Sequence, residues 1–546
     1  MSAIIVVKVL LAALISHYAV FKHFEPDALR FLGLVAAGNV GLISYLLSSG
    51  DGWLLVLRDL ISINVLYFAL LGASIGAYRL SPFHSLSRYP GPPLAKLTKW
   101  YIAYLIAKGE RHLQLKRLHE VHGRWVRIGP NELSVNDPAA VRPIYAQMYR
   151  GPSYQGAPVD ADALTTIPNK EQYSERLPAW RRAFSAENVK SFRPLAEART
   201  AQLIGLLRDK CKDGEAIDLS HWISMWGIDT MGDMSFSGGF EKLAAGKDEE
   251  GWTDIVLAGV LAVGVLGQVP YMRDILRLAP TPGPIASFQR LTAQKVRETR
   301  RRQAGVRADI LSTIQSAEPG EYELSEAEAA SDASFLIVAG WDTVSQCATT
   351  LFRHVFGDRA VLDRLRTELV DAFGDDLDLD HDTLLRLPYL DACVQEALRI
   401  MPPVAAGPPR TSGDVAYTVL GEYIPPKTVI ACPTYTLHRN EENFTNADKY
   451  IPERWLGERP SFVHNLEAFV PFSSGIGICL GKPVALFNLK LLTANIVRAF
   501  DGDFPEGFSF REFDESYKEH NLWRHGPLMI RLHAREQATG PNSAKR

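Results

Sequence analysis

The sequence predicts a mainly α-helical protein with small sheets, its globular part preceded by apolar helices near the amino terminus. Two patterns carry that expectation. Three long apolar stretches fall within the first eighty residues, and helical periodicity dominates from Val189 to Ala330 and again from Asp332 to Arg353. A third observation points to a site. Phe469 to Val484 reads F-V-P-F-S-S-G-I-G-I-C-L-G-K-P-V, a loop of Pro, Gly and Ser that holds Cys479 and opens into an apolar helical pattern.

Composition sets broad limits. With 546 residues and 47% apolar content, the chain can bury a large core. Its 59 basic and 62 acidic residues nearly balance, so nothing suggests a nucleic-acid partner. Cys211, Cys347, Cys393, Cys432 and Cys479 are scattered, with neither metal-ligand spacing nor the density of a disulfide framework. A reducing, cytosol-facing globular part follows from that.

Residues 1–80 read as a membrane anchor of three hydrophobic helices. The stretches run from Ile4 to Val20, from Phe31 to Leu47 and from about Leu60 to Tyr78, each near the length of a bilayer crossing, the second marginally so. Lys22 and Arg30 lie in the first connection, no basic residue lies in the second (Ser48 to Gly52), and Arg79, Arg88, Lys96 and Lys99 follow the third. The positive-inside tendency then places the amino terminus in the lumen and everything after Arg79 in the cytosol. A cleaved signal peptide is the alternative for the first stretch, but Lys8 interrupts it and no clear small-residue cleavage site follows. A single crossing with the other stretches in the interface also fits.

Residues 81–95 contain Tyr89-Pro90-Gly91-Pro92-Pro93, which proline restricts to extended backbone, so this segment is expected to be a stiff hinge. The remainder, 96–546, reads as one large domain. A helix should follow Lys96, then short strands near Trp125 to Ile128 and Glu132 to Val135 about a turn at Gly129-Pro130-Asn131. Ile255 to Val269 is apolar but glycine-bearing and too short to span a membrane, so it fits either a mobile roof or plain core. Arginines between Arg297 and Arg307 suit a solvated helix face.

Four stretches carry chemistry. In the loop, glycine permits close approach to a flat ligand, and amides at the start of the following helix can hold a thiolate. Ala339-Gly340-Trp341-Asp342-Thr343 sits in the apolar helix from Asp332. Glu396 and Arg399 stand three apart on one helix face. Pro452-Glu453-Arg454-Trp455 follows later, and between them the chain runs extended to Arg410.

Phe472, Gly475, Cys479 and Gly481 resemble the haem-binding signature F-x-x-G-x-R-x-C-x-G of the cytochrome P450 monooxygenases, and the other stretches match three further motifs in the family's order. The resemblance covers roughly Pro90 to the end. It implies the cytochrome P450 fold, a triangular helical domain with small β-sheets, with haem b between the Asp342 helix and the Cys479 loop and with Cys479 as axial ligand of the iron. Gly340 would clear bulk where dioxygen must fit, Thr343 would hydrogen-bond the reacting oxygen, and Asp342 with water would relay protons. Glu396, Arg399 and Arg454 would form a buried cluster that fixes the loop and governs haem incorporation. His438 resembles a structural His-Arg-Asn stretch of the family. Val404, Ala405, Ala406, Leu522 and Trp523 would face the distal pocket.

One departure stands out: the signature's basic residue falls on Gly477. Haem propionates must then meet other groups, for which Arg410 is the foremost candidate and Arg176 and Arg182, near Trp180, are further ones, a solvated arginine being their alternative. Gly477→Arg is accordingly expected to bind haem at least as well as the parent.

No G-x-G-x-x-G fingerprint or flavin domain occurs in the sequence, so NADPH should deliver electrons through a partner reductase, with cytochrome b5 as a second donor. The resemblance implies oxygen insertion into a lipophilic small molecule at the endoplasmic reticulum membrane, the catalytic domain facing the cytosol. Similarity to fungal microsomal members suggests secondary metabolism, with terpenoids as a candidate class. Two rivals compete: an isomerase or dehydratase of the same family that uses no dioxygen, and a non-catalytic membrane haem-binding protein.

Overall fold

A computed structural model of the protein describes residues 3–24, 26–48, 52–156, 161–280, 283–301, 309–374 and 379–535. The heart of the second anchor connection, 49–51, and the arginines of the 302–308 stretch lie outside the described residues.

Helices occupy all three apolar stretches: Ala3–Ile15, which runs on as a π-helical turn Ser16–Phe21, then Ala28–Ser48 and Trp53–Leu80. Each is long and apolar enough to cross a membrane. Three side-chain pairs join them. His17 Nδ1 lies 2.7 Å from Ser74 Oγ, Tyr67 donates to Ser16 Oγ at 2.8 Å, and Asn64 donates to Asn39 at 2.8 Å. Such pairs join helices in lipid, where the hydrophobic effect does not.

The proline segment is less free than a hinge. Arg127 N–H donates to Pro90 O at 2.7 Å, and a Cβ on Gly91 would strike the Arg127 carbonyl. The Arg127 guanidinium, 1% exposed, donates to Arg79 O at 3.0 Å and to Pro130 O, and meets His84 Nε2 at 3.2 Å. Burial lowers the His84 pKa to about 4, so the ring is neutral and can accept.

Trp125–Gly129 and Glu132–Val135 form the expected hairpin. It continues into a five-stranded sheet in the order Trp125–Gly129, Glu132–Val135, Val429–Ala431, Arg410–Thr411, Tyr149–Arg150, antiparallel but for the parallel pairing of Glu132–Val135 with Val429–Ala431. A three-stranded sheet joins Ile217–Asp218, Met529–Ala534 and Phe500–Asp503. Everything else is chiefly helical, and the main core lies among Ala186–Cys211, Leu219–Phe236, Glu326–Val355 and Lys482–Ala499.

Glu326–Val355 is the central helix. Ser325 and Glu328 cap its start reciprocally, satisfying amides that would otherwise lack partners. Its fully buried side packs on Leu219–Phe236, where Trp341 donates to Ser224 Oγ at 3.1 Å over the small Gly227. Phe335, Ala339, Thr343 and Gln346, spaced by three and four, form a half-buried stripe on another face. The apolar helix Trp252–Gln268 is partly covered and packs on Trp100–Lys108 and the turn Pro152–Gln155. Gly267 abuts the Ser153 backbone, which accounts for one of its glycines by close packing.

Candidate active site

The Cys479 loop is shaped by its neighbours. Gly475 has φ +65°, and a Cβ there would collide with the Tyr145 carbonyl, so glycine is required on both counts. The loop closes when the Cys479 N–H donates to Phe472 O at 3.0 Å, and Lys482–Ala499 begins three residues beyond the cysteine. Amides of Gly481 and Lys482 donate to the sulfur. Burial raises the thiol pKa, while these amides and the Lys482 charge oppose the rise. Cys479 lies within the protein's bulk yet its surface is uncovered, as in the wall of an internal cleft. Gly481 keeps an ordinary φ of −77° and a Cβ would sit 3.9 Å from both the Cys479 sulfur and Phe184, so nothing in the packing excludes a small side chain there.

Behind the loop lies the carboxylate cluster. Glu396 and Arg399 are 0% exposed and Arg454 is 3% exposed. Arg399 grips both oxygens of Glu396 at 2.8 Å, Arg454 Nε donates to it at 3.1 Å, and Trp455 Nε1 at 2.9 Å. Burial alone would raise the Glu396 pKa, but the two guanidiniums outweigh it and the pKa is lowered. The remaining Arg399 N–H groups donate to His438 O, Ala447 O and Lys449 O. His438 then carries this rigidity to the loop: its Nδ1 lies 3.2 Å from Arg399 O, and its Nε2 accepts from Val470 N–H at 3.0 Å. Donating on one side and accepting on the other requires a neutral ring, and burial pushes its pKa down to about 3. The His-Arg-Asn resemblance marked His438 as structural, but only the fold reveals this bridge.

On the central helix, Asp342 and Thr343 hold different positions. Thr343 Oγ1 donates to Ala339 O at 2.7 Å on the half-buried stripe. Asp342 is 2% exposed, with Oδ1 accepting from Gln346 at 3.3 Å and Oδ2 without a partner. Burial raises its pKa to about 7, against the Gln346 hydrogen bond and the Arg524 charge. Such a carboxyl exchanges protons near neutrality. The central helix packs against Lys482–Ala499, and Phe184, beside Gly481, continues through Trp180 to Phe335 of the stripe with ring centroids 6.0 and 6.1 Å apart.

Several expectations are corrected. A Cβ on Gly340 would collide with the Met231 side chain, so this glycine lets two helices approach. Arg176 donates to Asp332 at 2.7 Å and to Asp162 O at 2.8 Å, and Arg182 holds Glu321 at 2.8 Å and Ser316 O at 2.6 Å. Both guanidiniums are engaged by protein acceptors, while Arg176 Nε keeps no partner. Trp523 is 0% exposed, donates to Pro402 O and packs among His112, Tyr435 and Tyr517, while Ala405 is 1% exposed; both are core. At Gly477, a Cβ would run into the Arg410 guanidinium, which is itself 1% exposed.

A cysteine sits at a helix start, with an acid and an alcohol on a helix packed against that one, the arrangement the resemblance led us to expect. Residues 90–522 match the cytochrome P450 family, and the chain belongs to it. It is 28% identical to Cytochrome P450 67 of Uromyces fabae over 94% of this chain and 96% of that protein. It is 30% identical to Cytochrome P450 monooxygenase FCK2 of Fusarium pseudograminearum over 80% and 82%, and 28% identical to Tryprostatin B 6-hydroxylase of Aspergillus fumigatus over 93% of each.

The family implies a haem, and the residues present fit one. An uncovered sulfur held by two amides suits a metal, and the buried Arg410 Nε and Asp342 Oδ2 are polar atoms without protein partners.

Proposed function

We propose that this protein is a membrane-anchored monooxygenase that inserts one oxygen atom from dioxygen into a lipophilic small molecule, with NADPH electrons delivered by a reductase and with cytochrome b5 as a second donor. The observation that carries the reading is the pairing of the Cys479 sulfur, held by the Gly481 and Lys482 amides, with a buried Asp342 whose Oδ2 is unpartnered. Bound haem would supply the iron at which oxygen is activated. Cys479 would hold that iron as its thiolate ligand. Phe472 and Gly475 would shape the loop around it. Thr343 would turn its hydroxyl from the Ala339 carbonyl to the reacting oxygen, and Asp342 would deliver protons through Oδ2. The half-buried stripe, with Phe335 and Ala339, would present apolar surface to the substrate. The two fungal relatives named as monooxygenase and hydroxylase support a place in secondary metabolism, so terpenoids, indole alkaloids such as tryprostatin B, and fatty acids form the first substrate panel.

Co-expression with a reductase tests this. Substrate-dependent NADPH consumption with oxygenated product is expected, and turnover that survives removal of oxygen would instead favour an isomerase or dehydratase. Thr343→Ala should keep haem but release most NADPH electrons without product. In the parent, the share of NADPH that yields product should fall as pH rises through about 7, where Asp342 loses its proton. Asp342→Asn should remove that dependence and lower product formation by about a hundredfold. Full coupling in Thr343→Ala, or an unchanged pH profile in Asp342→Asn, excludes the residue from proton delivery.

An endoplasmic reticulum location with the domain in the cytosol is the matching topology. Lys427 Nζ donates to His23 O at 2.7 Å and Arg127 donates to Arg79 O, so the first connection and the end of the third helix both meet the domain. With three crossings the amino terminus then lies in the lumen. A glycosylation acceptor placed ahead of Met1 should be modified, and one placed after Arg546 should not; the opposite pattern overturns the orientation.

A further inference from the structure

We propose that a cleft bounded by the far ends of the two helices that carry the site residues, and lined by His112 and Lys518, binds a small aromatic acid. Neither the cleft nor its chemistry depends on the haem-thiolate reading above.

The cleft measures about 430 Å³, the size of a small-ligand pocket. Thr350, Arg353 and His354 bring the last turns of Glu326–Val355 to it, and Ile400 and Met401 bring the end of Pro388–Ile400. Thr350 follows Thr343 by seven residues, about 10 Å along the helix, so the cleft stands apart from the stripe proposed to meet substrate. Phe513, Tyr517 and Tyr435 add aromatic walls.

Two polar groups of the lining are left over. His112 is 4% exposed, stands edge-on to Tyr435 and Trp523 with ring centroids 4.9 and 4.6 Å away, and has no partner for Nδ1. Burial, together with the charges of Arg439, Arg111 and Lys518, lowers its pKa to about 3, so the neutral ring offers a hydrogen bond and no charge. A buried polar atom of this kind calls for a partner. Lys518 is the second group. The other charges of the cleft are matched: Arg353 holds Asp514 at 2.6 Å, Arg439 holds Asp448 at 2.9 Å, and Glu515 is held by Arg511 at 2.8 Å. Half-buried Lys518 forms no ion pair among the described residues. An unmatched ammonium beside a neutral imidazole and aromatic rings fits a ligand with one carboxylate on a flat apolar body.

Such a ligand would touch both helices at once. Arg439 Nε donates to Ile400 O at 3.0 Å, and His354 stacks on Tyr450 with ring centroids 4.4 Å apart, so the lining is already tied to the ends it would brace. A molecule that binds only the folded chain raises its melting temperature.

Equilibrium dialysis of purified holoprotein with 2-naphthoate, and with the uncharged 2-naphthamide, tests this. The parent should bind one naphthoate without a change in haem absorption and should take the amide about tenfold more weakly, the difference expected for one charge-assisted hydrogen bond. Lys518→Gln should lose about tenfold in naphthoate affinity and none in amide affinity, and Lys518→Arg should keep both. His112→Phe, which preserves the ring packing, should weaken both ligands. Naphthoate should raise the melting temperature of the parent more than that of Lys518→Gln. Binding that shifts the haem absorption, equal naphthoate affinity in Lys518→Gln, or a parent dissociation constant above about 1 mM overturns the proposal and leaves the thiolate reading intact. A protein that carries no haem yet binds naphthoate through Lys518 sustains the proposal and overturns that reading instead.

Discussion

Cys479→Ala will purify without the red-shifted Soret band that the reduced, carbon monoxide-treated parent gives. The expectation follows from the loop, which offers one sulfur and no second donor in its place: Phe472, Gly475, Ile476 and Gly477 around it carry no metal-binding side chain. The variant should still fold. Cys479 is uncovered, so losing its sulfur opens no cavity in the core, and the closure from Cys479 N–H to Phe472 O uses only backbone. Reduced carbon monoxide difference spectra beside circular dichroism will check this. An unaltered band in the variant would remove Cys479 as the ligand.

The second large effect is structural. Glu396→Ala leaves Arg399 and Arg454 buried without their shared carboxylate, and breaking one partner of a buried ionic cluster costs about 3–5 kcal/mol. Because His438 passes the position of Arg399 to Val470, the cysteine loop should loosen as well. We expect a lower melting temperature together with a lower haem-to-protein ratio, measured on freshly purified protein. Unchanged values for both would mean that the cluster does not position the loop. The pH dependence has a definite sign. Glu396 has a lowered pKa in the fold, so its contribution is fully present above the unfolded carboxylate value of about 4.3 and disappears as pH falls through the folded value. Acid should therefore release haem from the parent and have less left to remove in Glu396→Ala.

Much of this was legible in the sequence because the informative spacing is local. The loop from Phe472 to Gly481, the Glu396 and Arg399 pair, and the Asp342 and Thr343 pair each lie within one turn or one loop, where the chain itself fixes the geometry. What escaped depends on partners far along the chain. That Gly340 also lies against Met231, on another helix, shows only in the fold. Arg176 reads as an anion-binding group until Asp332 claims it. Trp523 reads as pocket lining until three rings from distant elements surround it. Gly477 is the clearest case. Its sequence signal was a missing charge, and only tertiary packing shows the neighbouring strand filling that place.

Arg127 bears on how a solubilised form should be cut. The proline run at Pro90 looks like the natural place to detach the three apolar helices. Trimming there would discard the Arg79 carbonyl and the His84 ring together, stranding an interior cation that retains only Pro130 O. A detergent-free version that begins at or before Arg79 keeps both acceptors, and with them the first strand of the sheet in which Arg410 stands.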